Sequence, residues 1–169
     1  MMRSWAVFDS PIQNGLHSIK YRRNIGLGEA LAIQMVDFVR SLGWPIEIMM
    51  PVPLGKNRLK ERGYNQVGLV ARPLAYRLGL KYEPDALWKM RETRSQVGLT
   101  ESQRRENVHA AYQADPRIVK QKSILIMDDV ATTGSTIAAC THALLSAGAK
   151  EIYVLTIARA LSHHSLNRV

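Results

Sequence analysis

The sequence predicts an α/β fold in which a parallel sheet carries helices on both faces. Three short apolar runs, at residues 46–50, 123–127 and 152–157, have the composition of buried strands. Segments with apolar residues at helical spacing lie before and between them, chiefly at residues 29–42 and 134–147. Strands that alternate with helices in this way are typical of a parallel sheet.

Glycine and proline set the element boundaries in the first part of the chain. The helix over residues 29–42 ends at Gly43, and the strand over residues 46–50 ends at Pro51. A proline cannot donate to a sheet ladder, so the chain is expected to leave the strand there. The basic segment that follows, residues 56–62, is interpreted as part of a loop.

The middle of the chain shows weaker signals. A helix is predicted over residues 65–78, where Pro73 should kink or delay it. Residues 82–89 and 108–113 are short strand candidates. Between them, residues 91–107 are strongly charged and poor in large apolar side chains, which is typical of a long functional loop that runs into a short helix.

The last predicted elements form a strand–helix–strand unit. The strand over residues 123–127 leads to the helix over residues 134–147, and a strand follows at residues 152–157. Cys140 lies on the apolar face of that helix, so it is interpreted as a small buried hydrophobic residue. The polar residues after Ala160 are expected to form a loose tail.

Length and composition predict one domain, residues 1–169, with an extension or hood at residues 1–27 and a tail at residues 161–169. A single cysteine excludes an internal disulfide framework. The chain has no secretory signal pattern and no apolar run of about 18 residues, so no membrane span and a cytoplasmic location are expected. The net charge of +9 favours polyanionic partners, although like-charge repulsion for solubility is the alternative.

The segment that carries chemistry is residues 124–136, which read ILIMDDVATTGST. An apolar strand delivers Asp128 and Asp129 at its carboxyl end, where ligands bind in open α/β sheets. The small polar loop ends at a helix N-terminus, which offers free N–H groups to a phosphate. The hydroxyl-bearing and small residues of this loop are Ala131, Thr132, Thr133, Gly134, Ser135 and Thr136. The carboxylates suit ligand hydroxyls or a hydrated Mg²⁺, so the string predicts a site for a ribose 5-phosphate.

Other interpretations of this string are weaker. An aspartate pair followed by threonines also occurs in ordinary turns with helix capping. Neither the P-loop pattern nor the glycine pattern of dinucleotide sites is present in the chain.

The same string resembles the PRPP-binding signature of type I phosphoribosyltransferases. The resemblance extends to Pro51-Val52-Pro53 and to residues 61–66, ERGYNQ, which look like a block of the ComF family. Residues 93–107 and 147–159 are similar to further blocks of that family, so the match covers residues 19–159. Many family members begin with a cysteine-rich zinc-binding segment, which this chain is expected to lack.

The resemblance implies a type I phosphoribosyltransferase fold, with PRPP, Mg²⁺ and an unknown nitrogen acceptor as ligands. Pro53, Arg58, Lys60 and Arg62 match the pyrophosphate loop; a solvated basic turn is the alternative. Asp128 and Asp129 match the residues that bind the ribose hydroxyls, in contact with Mg²⁺ through water. Tyr64, Asn65 and Gln66 line the same loop, or Asn65 is the N-cap of the next helix.

The resemblance also implies a lid over residues 91–107 that carries the catalytic residues Arg94 and Arg104 beside Arg58 and Arg62. An exposed helix with a Glu101–Arg105 pair is the alternative for this segment.

Two functions stay open. The first is phosphoribosyl transfer from PRPP. The second is a non-catalytic protein of DNA uptake that senses PRPP or binds single-stranded DNA without sequence preference. The assembly state stays open between monomer and homodimer.

Overall fold

The computed structural model describes residues 1–90 and 111–160. Within these ranges the chain forms seven strands and six helices. In chain order they are β1 (Met2–Val7), α1 (Ser10–Arg22), α2 (Ile25–Ser41), β2 (Ile48–Pro51), α3 (Lys56–Arg62), α4 (Gly68–Leu78), β3 (Lys81–Tyr82), β4 (Leu87–Lys89), β5 (Tyr112–Ala114), α5 (Pro116–Val119), β6 (Ser123–Ala131), α6 (Ser135–Ser146) and β7 (Glu151–Arg159).

Five strands form the main sheet in the order β1-β7-β6-β2-β3, and every neighbouring pair is parallel. The predicted parallel sheet is therefore confirmed. Its centre is the long strand β6, which pairs with β7 on one side and with β2 on the other. This arrangement brings the carboxyl ends of β2 and β6 to the same edge.

Helices cover both faces of the sheet, as predicted. On one face, α6 and a small two-stranded antiparallel sheet of β4 and β5 close a core that includes Leu87, Tyr112, Ile126 and Cys140. On the other face, α1, α2 and α4 close a core that includes Ile19, Met35, Leu74 and Leu125. The interpretation of Cys140 as a buried residue is confirmed, since its side chain is fully buried.

Helices α2 and α4 approach each other closely at Gly28. A Cβ atom at this position would lie 2.8 Å from the carbonyl oxygen of Leu69. Pro73 lies inside α4 and has no N–H, so that carbonyl lacks its usual helical donor. The absence of a side chain at Gly28 lets α2 pass directly over this turn of α4.

Two predicted boundaries are wrong in informative ways. Residues 56–62 form helix α3 and not a loop, because they are mostly good helix formers and Gly63 ends the helix at φ 73°. Residues 82–89 do not form one strand. The chain leaves the main sheet after β3, and β4 pairs with β5 in the separate two-stranded sheet. The high charge of residues 56–62 favoured the interpretation as a loop, although most of these residues have a high helix propensity.

The N-terminal residues are integrated into the fold. Strand β1 forms the edge of the main sheet beside β7, and α1 packs on one face. The loop and lid predicted at residues 91–107, with Arg94 and Arg104, and the tail at residues 161–169 lie outside the described residues. In the part of the chain that the structure describes, no helix is long and apolar enough to cross a membrane.

Candidate phosphoribosyl site

The strand–loop–helix segment predicted from the sequence forms a small polar cup at the carboxyl end of β6. The cup has a volume of about 50 Å³ and is lined by Asp128 and residues 130–137. Its size suits one phosphate group and not a whole nucleotide. Gly134 precedes α6 in the left-handed conformation, at φ 75°.

The N-terminus of α6 faces this cup with its backbone donors. The N-cap residue, Gly134, makes no side-chain cap hydrogen bond, and the Ser135 N–H donates to Thr133 Oγ1 over a long 3.5 Å. The Thr133 and Ser135 hydroxyl oxygens lie 3.0 Å from each other, and both residues are exposed. The remaining N–H groups of the first turn, the hydroxyl donors and the positive end of the helix dipole together favour a phosphate dianion.

The two carboxylates lie together next to the cup. The Asp129 backbone N–H donates to Asp128 Oδ1 at 2.9 Å, and the Val130 N–H donates to Asp129 Oδ1 at 2.8 Å. Burial, and then the negative charge of Asp129, hold the pKa of Asp128 above its usual range. The pair therefore carries an unfavourable concentration of negative charge that hydroxyl donors or a cation would relieve.

The predicted pyrophosphate side lies next to the carboxylates, because β2 is the neighbour of β6. The Val52 N–H donates to the Met127 carbonyl at 2.7 Å, so the chain reaches Pro53 at the same edge of the sheet. From there α3 carries Arg58, Lys60 and Arg62, the three basic residues predicted for this side of the site. Arg58 and Arg62 are four residues apart and share a side of the helix, whereas Lys60 falls on another side. Arg58 lies close enough to Tyr112 for its charge to act on the pKa of that phenol.

Arg62 is part of a connected array and not a free cation. Its Nη1 donates to Gln66 Oε1 at 3.1 Å, and its guanidinium carbon lies 5.5 Å from the centre of the Tyr21 ring. Gln66 Nε2 in turn donates to Asp129 Oδ2 at 3.2 Å. The array joins the predicted pyrophosphate side of the site to the predicted ribose side.

Residues 64–66 hold this region in place, and the structure contradicts one of the two alternatives for Asn65. The N-cap of α4 is Val67, so Asn65 is not the N-cap. Its Nδ2 donates to the Val52 carbonyl at 2.9 Å, and its Oδ1 accepts from the Val67 N–H at 3.1 Å. Asn65 thus attaches the start of α4 to the end of β2.

Sequence reasoning missed two side chains near the site. Lys20 of α1 lies close enough to Asp128 for its charge to lower the pKa of that carboxyl, against the larger effect of burial. Tyr112 is 8% exposed and lies close enough to Thr136 of the cup for that hydroxyl to act on the pKa of the phenol. Burial raises the pKa of Tyr112, so the phenol remains protonated at neutral pH. Both residues reach the site through tertiary packing, and no local sequence pattern marks them.

The described residues contain no group of three or more histidine, cysteine, aspartate or glutamate side chains able to hold a metal ion. Asp128 and Asp129 therefore supply at most part of a coordination shell. This donor set fits Mg²⁺, which proteins commonly hold with one or two carboxylates together with substrate phosphates and water.

Comparison with known proteins agrees with this geometry. The sequence profile of the phosphoribosyl transferase domain matches residues 68–167. The fold is shared with adenine phosphoribosyltransferase from Thermoanaerobacter pseudethanolicus, with a TM-score of 0.52 and 15% identity over 81% of this chain and 83% of that one. It is also shared with the APRTase from Giardia lamblia complexed with 9-deazaadenine, with a TM-score of 0.51 and 18% identity over 84% of this chain and 83% of that one. The chain belongs to the phosphoribosyl transferase domain family.

Curated relatives narrow this assignment. The DNA utilization protein YhgH of Salmonella typhi is 32% identical over 159 residues, which cover 91% of this chain and 70% of the relative. Competence protein F of Haemophilus influenzae is 33% identical over 132 residues, 77% of this chain and 57% of the relative. Within the phosphoribosyl transferase family, the chain is a member of the ComF family.

Proposed function

We propose that this protein binds PRPP and transfers its phosphoribosyl group to a nitrogen acceptor, with release of pyrophosphate. The observation that carries the proposal is the polar cup at the end of β6, directly beside two carboxylates. A phosphate cup next to hydroxyl acceptors matches a ribose 5-phosphate, and a basic helix beside them matches the diphosphate at the other end of PRPP.

Each part of the site has a distinct role in this proposal. The loop over residues 131–136 holds the 5-phosphate through the N-terminus of α6. Asp128 and Asp129 accept hydrogen bonds from the ribose hydroxyls. Arg58 and Arg62 neutralise the charge that develops on the departing pyrophosphate. Lys60 and Pro53 stay predictions for the same role, as do Arg94 and Arg104 for the lid.

The reaction itself is a displacement at the anomeric carbon. The acceptor nitrogen forms a bond to that carbon, the bond from the carbon to the pyrophosphate oxygen breaks, and pyrophosphate leaves with the electron pair. The acceptor then gives up its surplus proton. The site contributes mainly by positioning and by charge stabilisation, so the proposal needs no covalent nucleophile.

Asp128 and Asp129 would hold Mg²⁺ through water. The bound ion supplies additional neutralisation of the pyrophosphate charge.

The proposal is tested by ligand binding and then by turnover. With PRPP at about 100 times its dissociation constant and Mg²⁺ present, the free energy of unfolding should increase by about 2.7 kcal/mol. A rise in the melting temperature measures this stabilisation. Replacement of Asp128→Asn with Asp129→Asn should weaken PRPP far more than inorganic phosphate, because only PRPP carries the ribose. Equal losses for both ligands would indicate a disturbed loop. Pyrophosphate release across a panel of nucleobases and small amines then identifies the acceptor.

A basic surface on the helical face supports single-stranded DNA binding as a second candidate function. A groove of about 550 Å³ between α2 and α4 is lined by Arg23, Arg72, Arg77 and Tyr76 among others. Tyr76 is 87% exposed, which suits stacking of a base, and Arg77 is partly neutralised by Glu29 at 3.0 Å. The names DNA utilization protein and competence protein of the relatives are in accord with this candidate.

This second function predicts binding that is electrostatic and indifferent to sequence. Contact with about four phosphates gives a log–log salt slope near −3 on single strands. The substitutions Arg72→Ala and Tyr76→Ala should weaken DNA binding and leave PRPP binding intact, with Gln34→Ala on the exposed side of α2 as the matched control. An affinity for DNA that does not change with salt would contradict electrostatic binding. Equal DNA affinity in the Arg72→Ala, Tyr76→Ala and Gln34→Ala variants would exclude this groove as the DNA-binding surface.

A further inference from the structure

Gln66 occupies an unusual position for a neutral polar residue. Its side chain is 6% exposed, although it lies at the edge of the sheet where the charged groups gather. Both ends of the amide are engaged by charged side chains: Arg62 on one side and Asp129 on the other. Buried amides usually bond to backbone groups or water, so a bridge between two opposite charges is unusual.

The chemistry of the two neighbours determines the orientation of this amide. A guanidinium can only donate and a carboxylate can only accept. Gln66 Oε1 therefore faces Arg62 Nη1 at 3.1 Å, and Nε2 faces Asp129 Oδ2 at 3.2 Å. An amide bonds to both neighbours at once, whereas a carboxylate at this position would repel Asp129 and a hydrocarbon would remove both hydrogen bonds.

Arg62 depends on this bridge for its position. Its guanidinium packs near the Tyr21 ring, and its buried Nε has no acceptor within the described part of the chain. The hydrogen bond to Gln66 is the polar contact that the structure gives to this side chain. A guanidinium whose Nε is buried and that is held by one such contact would change its position if the contact were removed.

The segment that carries Gln66 is itself rigidly held. The Tyr64 hydroxyl donates to the Ile19 carbonyl at 2.6 Å, and Asn65 connects to Val52 and Val67 at 2.9 and 3.1 Å. Gln66 thus projects from a segment attached both to α1 and to the end of β2. A bridge on such a support can hold two charged groups at a fixed separation.

We infer that Gln66 is a positioning residue that holds the Arg62 guanidinium and the Asp129 carboxylate in one array, so that a ligand with a diol beside a phosphate ester meets both at once. The inference rests on the proposed function, because it assigns Asp129 to the ribose and Arg62 to the pyrophosphate. Gln66 itself need not touch the ligand. Its contribution is to remove the freedom that Arg62 would otherwise lose on binding.

A double-mutant cycle on PRPP affinity tests this inference. The variants are Gln66→Met, which keeps the approximate volume without either hydrogen bond, Arg62→Met, and the two combined. Calorimetry measures the dissociation constants of PRPP with Mg²⁺ and of inorganic phosphate. Gln34→Met, on the exposed side of α2, is the matched control for the introduced methionine.

The expected results separate positioning from a general structural effect. Gln66→Met should weaken PRPP binding by about tenfold and change phosphate binding by less than about twofold, because phosphate uses only the cup. Arg62→Met should also weaken PRPP binding by about tenfold in the wild-type background. The same substitution should weaken PRPP binding by less than about threefold when Gln66 is already methionine. Gln66→Glu provides a second test if Gln66→Met fails to fold: it keeps an acceptor for Arg62, repels Asp129, and should weaken PRPP binding as well.

Several results would overturn the inference. One is an Arg62→Met effect of the same size in both backgrounds, which would mean that Gln66 does not hold Arg62. Another is an equal loss of PRPP and phosphate affinity in Gln66→Met, which would reveal a structural residue. Failure of the wild-type protein to bind PRPP would remove the proposed function together with the inference, and it would be visible before any variant is measured.

Discussion

Tyr64 attaches the N-terminal helix to the site, and its removal makes a sharp test of the structure. The Tyr64 hydroxyl donates to the Ile19 carbonyl at 2.6 Å and accepts from the Arg23 N–H at 3.1 Å. Both partners belong to the carboxyl end of α1, which also carries Lys20 towards Asp128. Tyr64→Phe deletes one oxygen atom and with it both hydrogen bonds.

The magnitude follows from the surroundings of the two bonds. The bond to Ile19 is partly buried and the bond from Arg23 is exposed. A typical internal hydrogen bond contributes about 0.5–1.5 kcal/mol net, and an exposed one falls at the lower end since water replaces it. We therefore expect Tyr64→Phe to lower the free energy of unfolding by about 1–2 kcal/mol. For a chain of this length each kcal/mol corresponds to about 2–4 °C in the melting temperature.

Chemical denaturation measures the global effect, and amide hydrogen exchange measures the local one. Exchange should accelerate at the end of α1, above all at the Arg23 amide, while the amides of β6 keep their protection relative to global unfolding. Tyr76→Phe is the matched control, because that ring is 87% exposed. If Tyr64→Phe lowers the free energy of unfolding no more than Tyr76→Phe does, the assignment of Tyr64 as the residue that holds α1 in place is refuted. An unchanged exchange rate at the Arg23 amide would refute it as well.

Other substitutions test the packing and the electrostatics of the site. Gly28→Ala places a Cβ atom 2.8 Å from the Leu69 carbonyl oxygen, so α2 and α4 must separate; equilibrium unfolding should show a loss of about 1–3 kcal/mol, and an unchanged stability would contradict the close approach. Asp128→Asn should stabilise the free protein at pH 8: the folded pKa of Asp128 is raised, so the wild-type protein loses stability as pH rises from about 4 through that pKa, whereas asparagine does not titrate. Urea titrations at several pH values should therefore show that the difference in free energy of unfolding between the two proteins shrinks as pH falls towards about 4. A difference that grows instead would contradict the upward shift of the Asp128 pKa. Gly134→Ala adds a side chain to a backbone at φ 75°, so stability should fall by about 1–2 kcal/mol and phosphate affinity should fall with it; calorimetry that finds tighter phosphate binding would contradict the role of this turn.

The sequence alone determined the parts of the site whose residues are contiguous. An apolar strand, two aspartates, a small polar loop and a helix follow one another within residues 124–136. Each of these elements is encoded locally, so their order along the chain already implies a phosphate cup beside two carboxylates. The parallel sheet was predictable for a similar reason, because alternating strands and helices leave few other arrangements.

The tertiary structure decided how distant residues join that segment. The basic residues of 56–62 gave no sign that α3 would place Arg58 and Arg62 on one side and Lys60 on another. Gln66, Lys20 and Tyr112 lie in three separate parts of the chain, and they come close to Asp129, Asp128 and Thr136 only after the sheet and its helices have packed. Local propensity and periodicity describe neighbours along the chain, whereas a bridge such as Arg62–Gln66–Asp129 depends on which elements pack together. That choice is made by burial of the two apolar faces of the sheet, and the polar contacts at its edge follow from it.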